Sequence, residues 1–189
     1  MKIAQTLGRL AAALAIALGL AAPALAGTLD DIKARGTLRM GVLGELPPWG
    51  FIDATGQSQG YDVEVGKLIA AELGVTPEFL PMTVQARIPS LTTGKVDMLL
   101  ATMGMYPDRA KAVQFSKPYA GLKIILIADK ATPIATIEDA RDLRIGVPKA
   151  SAQDTAITKA LGEASRIQRF DDDAATVQAL VSGGNNLRS

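Results

Sequence analysis

The sequence predicts an α/β fold, in which short apolar strands alternate with amphipathic helices. The first observation behind this prediction is a set of strand-length apolar runs, of which residues 96–101 are the clearest. The second is that the stretches between these runs carry apolar residues at helical spacing. Nearly all-apolar strands are typical of sheets covered by helices on both faces, so we expect largely parallel sheets.

The first 26 residues have the three parts of a secretory signal peptide. Lys2 and Arg9 supply the positive start, residues 10–22 are uncharged, and Ala24-Leu25-Ala26 gives a small-x-small cleavage pattern. A membrane-spanning helix needs about 20 consecutive apolar residues, and this run is shorter. We therefore expect cleavage after Ala26 and a periplasmic location.

Composition excludes several classes of function. Residues 27–189 carry 18 Lys and Arg against 19 Asp and Glu, a net charge near −1, without the clustered positive charge of a nucleic-acid-binding protein. The chain has no cysteine, so neither disulfides nor thiolate chemistry is open to it. It also has no histidine, which excludes a Ser-His-Asp triad and the common zinc sites. We expect no metal, no cofactor and no nucleic-acid partner.

The first predicted elements are a strand, Thr37–Leu43, and a helix, Tyr61–Leu73, joined by a loop that contains a polar turn at residues 53–60. Asp62 is suited to cap the helix and Gly74 to end it. One apolar stripe at helical spacing identifies the helix: Val65, Leu68, Ile69 and Leu73.

The next elements lead to a candidate site. A short strand at residues 78–80 and a helix at residues 86–93, ended by Gly94, precede the apolar strand at residues 96–101. Open α/β sheets bind ligands beyond the carboxyl ends of their strands. Residues 102–109 follow this strand directly, so we expect the site to include them.

The rest of the chain continues the alternation of strands and helices. The predicted elements are a strand at residues 122–128, a helix capped by Thr136, a strand at 144–147, a helix from about Ala152, a strand at 166–170 and a final helix capped by Asp172 or Asp173. The final helix ends at Gly183 and Gly184, and residues 185–189 show no periodicity.

Four segments in this order resemble one protein family, the polar-amino-acid-binding proteins of bacterial ABC importers, which are family 3 of the bacterial extracellular solute-binding proteins. The segments are LPPWGF (residues 46–51), GQSQGYDVEVGKLIAAELGV (56–75), IPSLTTGKVDMLLATMGMYPDRAKAVQFSKPY (88–119) and LRIGVPKASAQDTAI (143–157). The resemblance implies a periplasmic-binding-protein-like two-lobe fold with the ligand in the cleft. Lobe 1 would span residues 27–120 and an incomplete lobe 2 residues 121–189, with a hinge near residues 120–123.

The function that the resemblance implies is that of a substrate-binding component, not of an enzyme. Its ligand would be a small amino-acid-like solute, and its partner an ABC transporter permease in the inner membrane. One alternative is an enzyme on the same fold, similar to cyclohexadienyl dehydratase, in which Glu45 and Asp53 would act as acid and base. Another is a truncated remnant that binds nothing.

The resemblance implies roles for four residues around the ligand carboxylate. Arg109 matches the family's carboxylate-binding arginine, a role suited to the planar fork of a guanidinium. Thr102 would contribute a hydroxyl or carbonyl, Gly104 a backbone N–H, and Ser151 a hydroxyl, to which Gln153 would add a polar contact. The residues alone leave other roles open: a surface ion pair for Arg109, a local backbone bond for Thr102 and a helix cap for Ser151.

The side-chain pocket departs from the family's commoner pattern. Leu46 and Val84 stand where relatives usually have aromatic rings that enclose the ligand. Trp49 would either line the entrance to the cleft or anchor its loop. Glu45 is placed to meet a cationic ligand, but Leu43 stands where binders of basic residues tend to have an acid, so we do not expect a lysine, arginine or histidine ligand.

The largest departure follows the final helix. Relatives continue with a strand that ends in the acidic residue holding the ligand ammonium, whereas this chain ends in NNLRS. Asp171, Asp172 and Asp173 lie too early in the pattern to match that residue, and helix capping is their expected role. We also expect an exposed strand edge and uncovered apolar surface in the second lobe.

Overall fold

The computed structural model describes residues 29–162, 166–184 and 187–188. The predicted signal peptide lies outside these residues. Within the described ranges, no helix has the length and apolar character required to cross a membrane.

The first sheet is parallel, and its middle strand is the first strand of the chain. Strand β1 (Thr37–Leu43) lies between β5 (Thr76–Met82) and β6 (Met98–Leu100). All seven residues of β1 pair with β5, and its second half also pairs with β6. The parallel sheet was predicted. Because parallel strands share a direction, the carboxyl ends of β1 and β6 meet at the same edge of the sheet.

Smaller elements surround this sheet. A short helix, α1 (Leu29–Arg35), precedes it. The small antiparallel sheet β2-β3-β4 fills the loop after β1, with strands Glu45–Leu46, Gly50–Ile52 and Ser58–Gln59. A 3₁₀ turn (Val84–Ala86) leads into α3 (Arg87–Thr92), and α4 (Pro107–Ala110) follows the sheet. The strand predicted at residues 96–101 is shorter than expected, but both ends of that run, Val96 and Ala101, are buried.

The helix α2 (Tyr61–Leu73) has the predicted bounds, but it begins in an unexpected way. No side chain caps its start, because its first two N–H groups are donated to the carbonyls of Pro48 and Trp49. The capping role predicted for Asp62 is therefore wrong. The helix ends as expected at Gly74, whose φ of 68° is in the left-handed region that glycine tolerates.

The buried face of α2 is centred on small residues. Val63, Gly66 and Ala70 are buried, whereas Leu68 of the predicted stripe is 71% exposed. A Cβ on Gly66 would lie 2.7 Å from the ring of Phe79, so the helix rests on the sheet through a glycine. The first core comprises these buried residues: Ile32, Leu38, Met40, Val42, Val63, Ala70 and Leu100.

The second sheet has shorter strands. Its order is β7-β10-β8-β9, with strands Ile127–Ala128, Leu187–Arg188, Ile145–Pro148 and Ile167–Phe170. β8 runs parallel to β9 and β10, and β7 is antiparallel to β10. Residues 187–188 were not predicted to form a strand, because two residues are too few for a period to be visible.

The prediction of a strand over residues 122–128 is wrong for most of its length. Only Ile127–Ala128 forms a strand. Leu122 is 56% exposed and Ile125 is 60% exposed. An apolar run forms a strand when a neighbour supplies the backbone pairs, and in the described part of the chain none pairs with residues 122–126.

Capping residues fix the helices of the second sheet. Ser151 caps α5 (Ala152–Leu161), and Asp172 caps α6 (Asp173–Val181), as the sequence allowed. Thr136 forms a capping box with Asp139, but the element it begins is one 3₁₀ turn, not a longer helix. The second core comprises these buried residues: Ala140, Ile145, Val147, Ile157 and Leu161.

Candidate functional site

The predicted site segment, residues 102–109, follows β6 at the carboxyl edge of the first sheet. Thr102, the second residue after that strand, has a φ of 46°, which is uncommon for a residue other than glycine. This strained turn redirects the chain from the buried strand toward α4. Residues held in such conformations cluster at ligand sites, so this turn supports a site at this edge.

Arg109 lies on α4 and connects the two halves of the molecule. Its guanidinium donates to the carbonyl of Gly104 at 3.2 Å and to the carbonyl of Ala150, next to the second sheet, at 2.9 Å. It also lies over the ring of Tyr106, 5.2 Å from the centroid. Burial lowers the pKa of Arg109. The side chain therefore bridges the halves instead of forming an ion pair at the surface.

Gly104 and Tyr106 are matched in shape. A Cβ on Gly104 would lie 2.8 Å from a ring carbon of Tyr106. A serine or threonine here would push the ring that Arg109 covers.

Arg87, at the start of α3, is a second arginine near this edge, and sequence reasoning missed it. Its side chain is buried, with 4% exposed, and it donates to the carbonyls of Val84 at 2.9 Å and Ala101 at 2.7 Å. Burial and, to a lesser extent, the positive charge of Arg109 lower its pKa to about 10, while the negative charge of Asp173 opposes the shift. The sequence signal was a lone charge in the otherwise uncharged stretch before Lys95.

A cavity of about 200 Å³ opens beside Val84. Leu43, Val84 and Ala101 form a buried cluster behind it, with Leu46 packed against the cluster. The cavity is lined by Leu43, Gly44, Glu45, Leu46, Ile52, Pro81, Met82, Thr83, Val84, Asp172 and Asp173. Of the predicted site residues, the structure places Leu46 and Val84 on its wall.

The polar part of the lining is acidic and comes from both halves of the molecule. Glu45 lies on β2, whereas Asp172 and Asp173 lie at the start of α6. Partial burial raises the pKa of Glu45, and the adjacent carboxyl group of Asp172 raises it further. Asp172 also accepts the N–H of Ala175 at 2.7 Å. One carboxyl group therefore caps a helix and lines the cavity.

The remaining predicted residues, Arg109, Thr102, Gly104, Ser151, Trp49 and Gln153, are not among those that line the cavity. Ser151 is buried and accepts the N–H of Asp154 at 3.0 Å, which is the capping alternative. Trp49 makes an edge-on contact with the ring of Tyr61, with the centroids 5.4 Å apart. Gln153 lines a different hollow on the second half.

A buried carboxyl group lies behind Thr102. Asp62 is fully buried, and its Oδ1 accepts the hydroxyl of Tyr119 at 2.8 Å. Burial raises the pKa of Asp62, while the Tyr119 hydroxyl and the Thr102 backbone N–H oppose the shift. Sequence reasoning missed this pair because its two members are 57 residues apart.

Comparison with known proteins gives a consistent result. The sequence profile of the bacterial extracellular solute-binding proteins, family 3, matches residues 38–178. The L-cystine-binding protein TcyJ of Escherichia coli (strain K12) is 26% identical over 179 residues, which are 94% of this chain and 67% of that protein. The chain spans smaller shares of other curated relatives, such as 61% of the glutamine-binding protein of Geobacillus stearothermophilus.

Solved structures show the same fold. A solute receptor for L-cysteine of Neisseria gonorrhoeae is 34% identical with a TM-score of 0.81, over 86% of this chain and 67% of that one. The ancestral amino acid-binding protein AncCDT-1, a precursor of cyclohexadienyl dehydratase, is 34% identical with a TM-score of 0.80, over 86% and 73% of the two chains. The two sheets are accordingly the two lobes of a periplasmic-binding-protein-like fold. This chain belongs to family 3 of the bacterial extracellular solute-binding proteins.

Proposed function

We propose that this chain is the periplasmic substrate-binding component of an ABC importer and that it holds a small amino-acid-like solute between its lobes. The observation that carries the proposal is the position of Arg109, which reaches from the first lobe to the backbone of the second. A guanidinium there can bind a carboxylate with two parallel hydrogen bonds and draw the lobes together around it. We assign residues 27–120 to the first lobe and residues 121–189 to the second.

The charges around the cleft suit a ligand with two opposite charges. Arg109 lies near enough to Arg87 for its positive charge to lower the pKa of Arg87, while Glu45 and Asp172 line the cavity beside Val84. A carboxylate would face the arginines, and an ammonium would face the carboxyl groups, so that neither charge loses its water without a partner. Asp172 would then do more than cap a helix, which was the role expected of it from the sequence.

The apolar wall of the cavity limits the size of the ligand side chain. About 200 Å³ holds an amino acid of modest size, and the cluster of Leu43, Leu46 and Val84 offers it aliphatic contacts. The named relatives bind L-cystine, L-cysteine and glutamine. These three compounds should lead the panel of solutes to test, and binding would favour a closed arrangement that a permease in the inner membrane recognises.

The competing functions predict different behaviour. A dehydratase similar to cyclohexadienyl dehydratase would turn over prephenate-like substrates, whereas a binding component would not. The structural neighbour connected with that enzyme is itself named as an amino acid-binding protein. A remnant that binds nothing would show no solute-dependent stabilisation.

The test is calorimetric titration of the purified chain with the panel, followed by the same titration of Arg109→Ala. We expect the variant to bind about 10- to 100-fold more weakly, the range for losing hydrogen bonds to a charged group. Lys111→Ala is the matched control, because Lys111 follows Arg109 by two residues and its side chain is 77% exposed.

Three results would contradict the proposal. One is that no solute of the panel binds to the wild-type chain. Another is that Arg109→Ala and Lys111→Ala bind the solute equally well. The third is the steady conversion of a prephenate-like substrate, which would assign the cleft to an enzyme.

A further inference from the structure

The strongest unexplained feature of the molecule is the buried carboxyl group of Asp62. It lies in the first turn of α2, where its side chain neither caps the helix nor pairs with a cation. In the described ranges of the chain, no hydrogen-bond partner contacts its buried Oδ2. A buried carboxyl group with one unsatisfied oxygen costs folding free energy. An arrangement with such a cost points to a role other than stability.

Within the residues that the structure describes, the side chain that bonds to Asp62 is that of Tyr119, at the end of the first lobe. Tyr119 donates its hydroxyl to Asp62 at 2.8 Å, and its ring stacks on that of Tyr61 at 6.2 Å between centroids. Residues 120–126 follow immediately and cross to the second sheet without regular structure. The hydrogen bond therefore fixes the last residue before the crossing to the rigid helix α2.

The same carboxyl group faces the site. The backbone N–H of Thr102 is close enough to lower the pKa of Asp62. Thr102 is the residue with a left-handed φ, from which the segment carrying Gly104 and Arg109 starts. One buried group is thus bonded to Tyr119, where the interlobe crossing starts, and lies near enough to the turn at Thr102 for that N–H to affect its pKa.

We propose that Asp62 and Tyr119 are positioning residues. Their hydrogen bond, called here the Asp62–Tyr119 clasp, sets the affinity of the cleft for its solute because it holds the start of the crossing, residues 120–126, near the turn at Thr102. This inference rests on the proposed function, because it concerns the affinity for the same solute. Without the clasp, the crossing would sample more orientations of the second lobe. The fraction of molecules in which Arg109 meets Ala150 would fall, and the apparent Kd would rise in proportion.

The first experiment compares two removals of a tyrosine hydroxyl. Tyr119→Phe loses the bond to Asp62, whereas Tyr61→Phe loses only a longer bond, 3.4 Å, from the Tyr61 hydroxyl to the carbonyl of Tyr119. We expect Tyr119→Phe to raise the Kd for the bound solute roughly tenfold, the effect of one such hydrogen bond. Tyr61→Phe should leave the Kd within about twofold of wild type, since exposed neutral bonds contribute little.

A double-mutant cycle separates positioning from folding. Titrations are run well below the unfolding temperature of every variant, with circular dichroism confirming that each is folded. If the clasp acts as a unit, Asp62→Ala combined with Tyr119→Phe should weaken binding no more than either change alone. A lower unfolding temperature with an unchanged Kd would mean that the pair is only structural, and would overturn the proposal.

A second measurement needs no ligand and so separates this inference from the proposed function. The chain has no cysteine, so Glu72→Cys on α2 and Lys159→Cys on α5, both exposed positions, can carry a pair of spin labels. Pulsed electron paramagnetic resonance should show a broader interlobe distance distribution in Tyr119→Phe than in wild type or Tyr61→Phe. Identical distributions would overturn the clasp. A broader distribution in a chain that binds no solute would support the clasp and contradict the proposed function.

Discussion

The two lobes reach a similar architecture with very different amounts of paired backbone. In the first lobe, Thr37–Leu43 pairs along all seven residues with Thr76–Met82. In the second lobe, the longest strands have four residues, and Leu187–Arg188 pairs over two. The site reflects this difference. The first lobe supplies side chains from a rigid sheet edge, whereas the second supplies a carbonyl at Ala150 and a helix-capping carboxyl group at Asp172.

The lobes also differ in how they expose apolar side chains. In the first lobe, the exposed large apolar side chains, such as that of Leu68 at 71%, are scattered singly along the chain. In the second lobe, Leu122, Ile124 and Ile125 are exposed within four consecutive residues. Isolated exposed residues are ordinary, but contiguous ones mark a surface that favours association. The second lobe is therefore where we expect the lower stability and the greater tendency to self-associate.

The largest expected effect comes from emptying the core of the first lobe. Met40→Ala should lower the free energy of unfolding by about 2–5 kcal/mol, because Met40 is fully buried and its neighbours cannot all close the gap. Ile145→Ala makes the matching change in the second lobe. We expect a smaller loss of unfolding free energy there, because the shorter strands of that lobe let its core relax around the gap. The measurement is urea unfolding followed by circular dichroism.

Leu68→Ala is the control for this pair of variants. Its side chain is largely exposed, so its removal should change the free energy of unfolding by less than about 0.5 kcal/mol. If Ile145→Ala destabilises the chain as much as Met40→Ala, the contrast between the lobes does not extend to their cores.

An intermediate effect is expected at a buried ion pair of the first lobe. Asp97 is 1% exposed and bonds to Arg35 and Arg39. Burial acts to raise the pKa of Asp97, but the hydrogen bonds from Arg39 and the charges of both arginines lower it below its ordinary value. Asp97→Asn should lower the free energy of unfolding by about 2 kcal/mol at neutral pH.

The pairing of Asp97 with the two arginines also predicts how the free energy of unfolding depends on pH. Because the pKa of Asp97 is lower in the folded chain, its stabilisation is fully present above about pH 4 and is lost as the pH falls through the folded pKa. The difference in unfolding free energy between wild type and Asp97→Asn should therefore shrink on acidification. Asp108→Asn is the control, since Asp108 pairs with Lys111 at 91% exposure. An equal pH response in both variants would show that the buried pair is not responsible.

The smallest effect on stability, but a visible one on association, is expected at the apolar surface of the second lobe. Ile125→Ser should leave the free energy of unfolding within about 0.5 kcal/mol of wild type, because the side chain is 60% exposed. It should reduce self-association in sedimentation velocity at high concentration. Leu68→Ser is the matched change in the first lobe and should not. The reverse result would place the associating surface on the first lobe.

Local patterns predicted the elements that depend on local interactions. The bounds of Thr37–Leu43 and Tyr61–Leu73 agree with the structure. The caps at Ser151, Asp172 and Gly74 follow from side chains and backbone within a few residues of each helix end. The strand predicted at residues 122–128 fails because an apolar run cannot indicate whether a pairing partner exists.

The residues of the candidate site also fall into those that the sequence identified and those that only the packing reveals. Arg109, Leu46 and Val84 were selected through their resemblance to a family pattern, and the structure places Arg109 between the lobes and the other two on the cavity wall. Arg87 and Asp62 were missed as site residues. Their importance comes from burial beside partners distant in the chain, which no spacing within one segment reveals.

Residue types and short-range periodicity were enough to predict the fold class and the principal strands and helices and to exclude imidazole and thiol chemistry, while the resemblance of four segments indicated the family. Only the tertiary structure decided that the carboxyl group of Asp62 meets the hydroxyl of Tyr119 and that Asp172 shares a cavity wall with Glu45. Such contacts join residues that the chain brings together only after the helices have packed on the sheets. The energy of a buried charge depends on those neighbours, and its position in the sequence does not fix them.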